Sequence, residues 1–200
     1  MRIFITIFLL LLLQLAATAY AVDTHGIDFN SIMSNLSSNM PAVIKLTTAT
    51  SYFLGFWFII AGLKNLKKIG QSQGSSESTI GGQVVKVLIG AALVYLPSTL
   101  NAGVITLWGT PGLLDYPASN GLDPFYEAKR GAAVFVQAIG YISFVRGFVM
   151  LAKGAGQQQQ QYGSHGMIGK GILHIIGGIL AINIVATIQI VGNSVGIQIF

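Results

Sequence analysis

Residues 132–152 read AAVFVQAIGYISFVRGFVMLA, and this stretch decides the fold. Its 21 residues carry a single charged side chain, Arg146. A helix of that length spans roughly 30 Å, the thickness of a bilayer's hydrocarbon core. Three further stretches, 42–63, 83–107 and 171–192, read the same way. The composition agrees, with 52% hydrophobic and only 8% charged residues in the 200-residue chain. Soluble domains carry about a quarter charged residues, so this chain cannot cover an aqueous surface. The expectation is an all-α membrane protein with four transmembrane helices, and a large aqueous catalytic domain is not expected. Zero cysteines remove disulfides, thiolate metal sites and haem attachment together.

Outward from these spans, the first residues have a targeting signature. Arg2 precedes the apolar run Ile3 to Leu15, and Ala19 and Ala21 form an A-x-A end. That pattern predicts a signal peptide over 1–21, and its apolar core is too short for an anchor of about 20 residues. Cleavage after Ala21 would leave Val22 as the mature N terminus; retention is the alternative. In the segment 22–41, Phe29, Ile32, Met33, Leu36 and Met40 recur at helical spacing after Asp28. Two readings stand here: an amphipathic helix on the membrane surface, or an unstructured mature end. Pro41 predicts a break before the first span. The chain then divides into a first transmembrane hairpin (42–107), a periplasmic loop (108–131), a second hairpin (132–192) and a periplasmic tail (193–200).

Basic residues set the orientation. Lys64, Lys67 and Lys68 follow the first span, and Lys153 and Lys170 bound the loop after the third. The remaining flanks are acidic on balance, with Asp23 and Asp28, then Asp115, Asp123 and Glu127. This places the hairpin loops in the cytoplasm and both mature termini in the periplasm of a bacterial inner membrane, in agreement with the signal peptide. The net charge of +5 is then mostly an orientation device that also attracts anionic lipid headgroups. Direct nucleic-acid binding is not expected, because the lysines are scattered and lack interleaved aromatics. The loop that holds Pro111, Asp115, Tyr116, Pro117, Asp123, Pro124, Phe125 and Tyr126 reads as an interface anchor or a docking surface.

The two hairpins also resemble each other. Ser51-Tyr52-Phe53 aligns with Gly140-Tyr141-Ile142, and Lys64 with Lys153, at an offset of 89. Ile80-Gly81 aligns with Ile168-Gly169, Lys86 with His174 and Gly90 with Gly178, at an offset of 88. Either this is a parallel duplication about an axis along the membrane normal, or chance in a glycine-rich apolar chain.

Polar groups inside the spans are the candidate sites. Arg146 lies seven residues before Lys153, hence only about 10 Å deep. It either snorkels to lipid phosphate or contacts another subunit. Lys86 and His174 sit at comparable depth, so the three are expected at one cytoplasmic level. No span holds an acidic residue, which argues against a proton relay or a cation-coupled carrier. Asn183, Asn101 and Thr187 are expected to hydrogen-bond between helices. Gly177, Gly178 and Ala181 form a small-residue face, and Gly55 with Gly62 and Gly140 with Gly147 recur every two turns. These allow close helix packing within the chain or between copies in a homo-oligomer. Pro97 predicts a kink in the second span. No catalytic pair, metal set or cofactor motif is present, so neither enzyme activity nor a cofactor is expected.

Two runs carry a family likeness: Phe135-Val136-Gln137-Ala138-Ile139-Gly140-Tyr141-Ile142-Ser143-Phe144-Val145-Arg146-Gly147, and His174-Ile175-Ile176-Gly177-Gly178-Ile179-Leu180-Ala181-Ile182-Asn183-Ile184-Val185. With the Gly/Gln linker between them, they resemble the IcmC/DotE family of small inner-membrane proteins of type IVB secretion systems. Lys64-Asn65-Leu66-Lys67 and Leu88-Ile89-Gly90-Ala91-Ala92-Leu93-Val94-Tyr95-Leu96-Pro97 fit the same pattern, so the likeness spans about Ser51 to Thr187. The resemblance implies a role in building the membrane complex that exports effector proteins or conjugative DNA, with other inner-membrane secretion subunits as partners. It supplies no catalytic residue. An autonomous small pore or transporter is the rival reading.

Overall fold

The computed structural model describes residues 29–71, 80–109, 126–156 and 164–196. The expected signal peptide, most of the loop at 108–131 and the Gln157–Gln161 run lie outside these residues. The described residues form six helices and no strands. They are α1 (Phe29–Gln71), α2 (Ile80–Val94), α3 (Leu96–Trp108), α4 (Tyr126–Gly156), α5 (Ser164–Ile182) and α6 (Ile184–Val195).

Two of these, α1 and α4, are long and apolar enough to cross a membrane alone. The α2–α3 and α5–α6 pairs also qualify if each is taken as one span, which makes two to four crossing elements. Each pair is sharply bent, by 95° at Tyr95 and by 87° at Asn183. The kink expected from Pro97 in the span 83–107 is thus present, centred two residues before the proline, whereas the span 171–192, expected without a break, is corrected to a broken helix.

Backbone chemistry explains the first bend. Pro97 has no N–H, so the Leu93 carbonyl four residues earlier loses its helical donor. Ser51 on α1 brings its hydroxyl within 3.2 Å of that carbonyl, while also lying 2.7 Å from the Thr48 carbonyl. Thr99 Oγ1 lies 2.9 Å from the Ala92 carbonyl and 3.0 Å from that of Tyr95. The second bend has no proline. Thr187 Oγ1 there lies 2.9 Å from the carbonyls of both Leu180 and Asn183. Each threonine thus gives a donor to an acceptor whose amide partner the bend has swung away. Beyond the bends, α3 ends at Gly109 and α6 at Gly196, with φ of 75° and 76°. This left-handed conformation stops a helix at little steric penalty only for glycine.

The expected break at Pro41 is also corrected: α1 runs through it for 43 residues. A helical proline is worth about 3 kcal/mol against the helix, so tertiary packing must offset it. Met40 is buried beside it, and Gly131 of α4 sits against Met33, where a Cβ would come 2.7 Å from the Met33 carbonyl oxygen. Over the described residues 29–41 the first turns of α1 are continuous with the first span and touch α4 at Met33, while 22–28 of the expected segment lie outside the described residues.

Helix α4 is the hub, touching α1, α2, α5 and α6, whereas α2 and α5 do not meet. Between them lies one apolar cluster of Phe58, Ile89, Leu93, Leu96, Leu100 and Val104 with Phe144, Val145, Ala152, Ile179 and Ile182.

Candidate functional site

Glycines build the two helix seams. In the first hairpin, a Cβ on Gly55 would lie 2.6 Å from the Gly90 oxygen, and one on Gly90 would lie 2.8 Å from the Gly55 oxygen. Gly62 continues the seam against Val87 and Gln83. In the second, Gly140 and Gly178 each place the other's oxygen 2.9 Å from a would-be Cβ, and Gly147 and Gly171 oppose each other one level on. The helices are in backbone contact, closer than any larger residue permits.

The small-residue face expected over Gly177, Gly178 and Ala181 therefore splits. Gly178 is buried in the seam, but a Cβ on Gly177 would meet nothing within 4 Å. Gly177 points outward and Ala181 is half-buried.

Few polar side chains are buried. Ser51, Gln83 and Asn183 are 0%, 1% and 2% exposed. Ser51 serves the first bend. Gln83 Oε1 accepts a hydrogen bond from Asn65 Nδ2 at 3.2 Å, which ties α2 to the end of α1. Asn183 occupies the second bend itself, where its backbone leaves the helical region (φ −104°, ψ 49°). Thr187, expected between helices, bonds within its own bend, and Asn101 is exposed on α3. The sequence alone assigned no hydrogen-bonding role to Ser51, Gln83, Asn65 or Thr99. A glutamine and an asparagine at facing positions of a glycine-seamed hairpin were the available signal.

The three cationic groups expected at one level lie on three different helices. Lys86 is on α2, with Nζ 6.0 Å from the centroid of the Phe58 ring, a cation–π distance. His174 is on α5, which α2 does not touch. Arg146 is exposed on α4, the helix that packs along α5. Ser143 Oγ, one turn before Arg146, donates to the His174 carbonyl at 3.2 Å. His174 Nδ1 lies 2.8 Å from the Lys170 carbonyl; a carbonyl only accepts, so Nδ1 carries the proton in this contact. Chemically, these groups can bind anions or donate hydrogen bonds. Among the described residues no group of three His, Cys, Asp or Glu could hold a metal ion.

Comparison of the chain with protein-family models, characterised proteins and solved structures finds no match.

Proposed function

We propose that the chain is an inner-membrane structural subunit of a type IVB, conjugation-related secretion apparatus, the class its sequence resembles, and that it works by packing helices against partner subunits. The observation that carries this reading is the exposed ridge on α1. Phe53, Phe56, Trp57 and Ile60 share one outward side at helical spacing and are 57–72% exposed. Only 22% of the most apolar window of α1 is buried within the chain. Large aromatics aligned on a rigid, glycine-seamed hairpin give a partner helix shape to recognise. ATP-driven steps belong to other subunits on this reading.

Phe53→Leu with Trp57→Leu tests it, because the double variant keeps the ridge apolar but changes its shape. Loss of co-purifying subunits and of export, with the chain still inserted, is expected. Unchanged assembly and export would show that the ridge faces only lipid.

The two hairpins are best explained as a duplicated unit. The bends at Tyr95 and Asn183 are 88 residues apart, as are their threonine donors Thr99 and Thr187. Gly55 faces Gly90 and Val94 just as Gly140 faces Gly178 and Ile182. The seam contacts favour an offset of 85 for the first helix of each unit, pairing Gly55, Gly62, Leu66 and Lys68 with Gly140, Gly147, Leu151 and Lys153. This replaces the offset of 89, which aligned Lys64 with Lys153.

The bent helices favour a second reading, an autonomous pore or transporter, since broken helices line substrate pathways in many carriers. Purified chain in liposomes separates the two. An assembly subunit is inert to solute flux, and a transporter is not.

A further inference from the structure

The α4–α5 hairpin carries a one-sided basic face. The two helices meet along Gly140, Phe144, Gly147 and Gly171, Ile175, Gly178. The Ser143–His174 hydrogen bond shows which flank of α4 adjoins which flank of α5. Arg146 follows Ser143 by one turn on that flank, and Lys170 precedes His174 by one turn on the other. Their neighbours Gly147 and Gly171 are in reciprocal contact, each oxygen 2.7–3.0 Å from the other's would-be Cβ. Arg146 and Lys170 thus leave adjacent turns at a point where the backbones touch. Both are exposed, and His174 between them is half-buried.

Among the described residues the only acidic residue is Glu127. No acidic residue follows Glu127 anywhere in the sequence, and Glu127 lies 19 residues before Arg146 on the same helix, roughly 28 Å away. Two cations on a membrane helix pair, with apolar Ile139 and Ile142 exposed beside them, suit a ligand that is anionic at one end and apolar at the other. We propose that Arg146, Lys170 and His174 bind the phosphate of an anionic phospholipid in the leaflet nearest the α4–α5 loop, with an acyl chain lying along Ile139 and Ile142. Arg146 and Lys170 supply charge, and the His174 ring, oriented by its Nδ1 hydrogen bond, presents Nε2 to the headgroup. Lys86 has no part in the site, being held over Phe58 on the other hairpin. The site depends on α4 and α5 being embedded in the membrane, which carbonate extraction checks separately, and not on the secretion reading.

The test is native mass spectrometry of the full-length protein in detergent with phosphatidylglycerol, phosphatidylcholine or inorganic phosphate added. Preferential retention of phosphatidylglycerol is expected. The triple variant R146Q/K170Q/H174Q should weaken it by about tenfold, and the charge-matched K64Q/K67Q should leave it within about twofold. Equal losses in the two variants would reduce the effect to bulk electrostatics and overturn the site, as would no loss in the triple variant. Full competition by millimolar inorganic phosphate would overturn the lipid as occupant. If the triple variant does not fold, R146Q alone at its exposed position should still lose about threefold, and unchanged binding would overturn the proposal.

Discussion

Ser51 on α1 supplies a hydroxyl to the Leu93 carbonyl on α2, the acceptor that Pro97 deprives of its amide. Both residues are fully buried, so no bulk water can substitute. Ser51→Ala should therefore destabilise the first hairpin by about 1–2 kcal/mol, measured by reversible unfolding in mixed micelles. Ala49→Ser, at an exposed position one half-turn away, should have an effect below about 0.5 kcal/mol.

Gly177 and Gly178 are sequence neighbours with opposite surroundings. A Cβ on Gly178 would come 2.8 Å from the Phe144 amide nitrogen, whereas one on Gly177 would meet nothing within 4 Å. Gly178→Ala is expected to destabilise by about 1–3 kcal/mol through forced separation of α4 and α5. Gly177→Ala is expected to be neutral or to stabilise by up to about 1 kcal/mol through helix propensity. Equal effects in the same unfolding assay would contradict the packing described.

The threonine donors at the two bends give a paired prediction. Thr99→Val and Thr187→Val keep the side-chain volume but leave the Ala92 and Leu180 carbonyls short of a donor. Each should lower stability by about 1 kcal/mol. Pulsed electron–electron distances between spin labels on either side of each bend should broaden, because the bend angle is less constrained. Narrow, unshifted distributions would assign the bends to other forces.

Because α1 is continuous through Pro41, Pro41→Ala should raise stability, by up to about 3 kcal/mol if no strain is relieved elsewhere. Amide exchange over residues 38–45 should slow in the variant. Unchanged exchange would mean that the helix is interrupted at Pro41.

Much of the fold was legible from the sequence, and the failures have physical causes. Among the described residues the apolar runs located the two membrane-length helices, α1 and α4, and Pro97 announced the first bend because a missing N–H is a local property. The bend at Asn183 has no such marker; it depends on a hydroxyl one turn later and on burial by other helices. Pro41 misled because docking of Met33 and Met40 outweighs a local penalty. The repeat offset of 89 differs from 85 by four residues, about one helical turn, so either choice keeps the same residues on the same face. Only contacts across the seam discriminate between them. Which helices adjoin was not readable from the sequence, and it sets Lys86 on α2 apart from His174 on α5 and brings in Lys170.

The central claim is that this chain works inside a larger membrane assembly. Its most direct test is gentle-detergent purification of the tagged chain from its native membrane, with sizing and mass spectrometry of what accompanies it. The account predicts a particle far larger than small multiples of the 21.2 kDa chain, containing a secretion ATPase and other small membrane subunits. Recovery of the chain alone, or only as a small homo-oligomer, would contradict it.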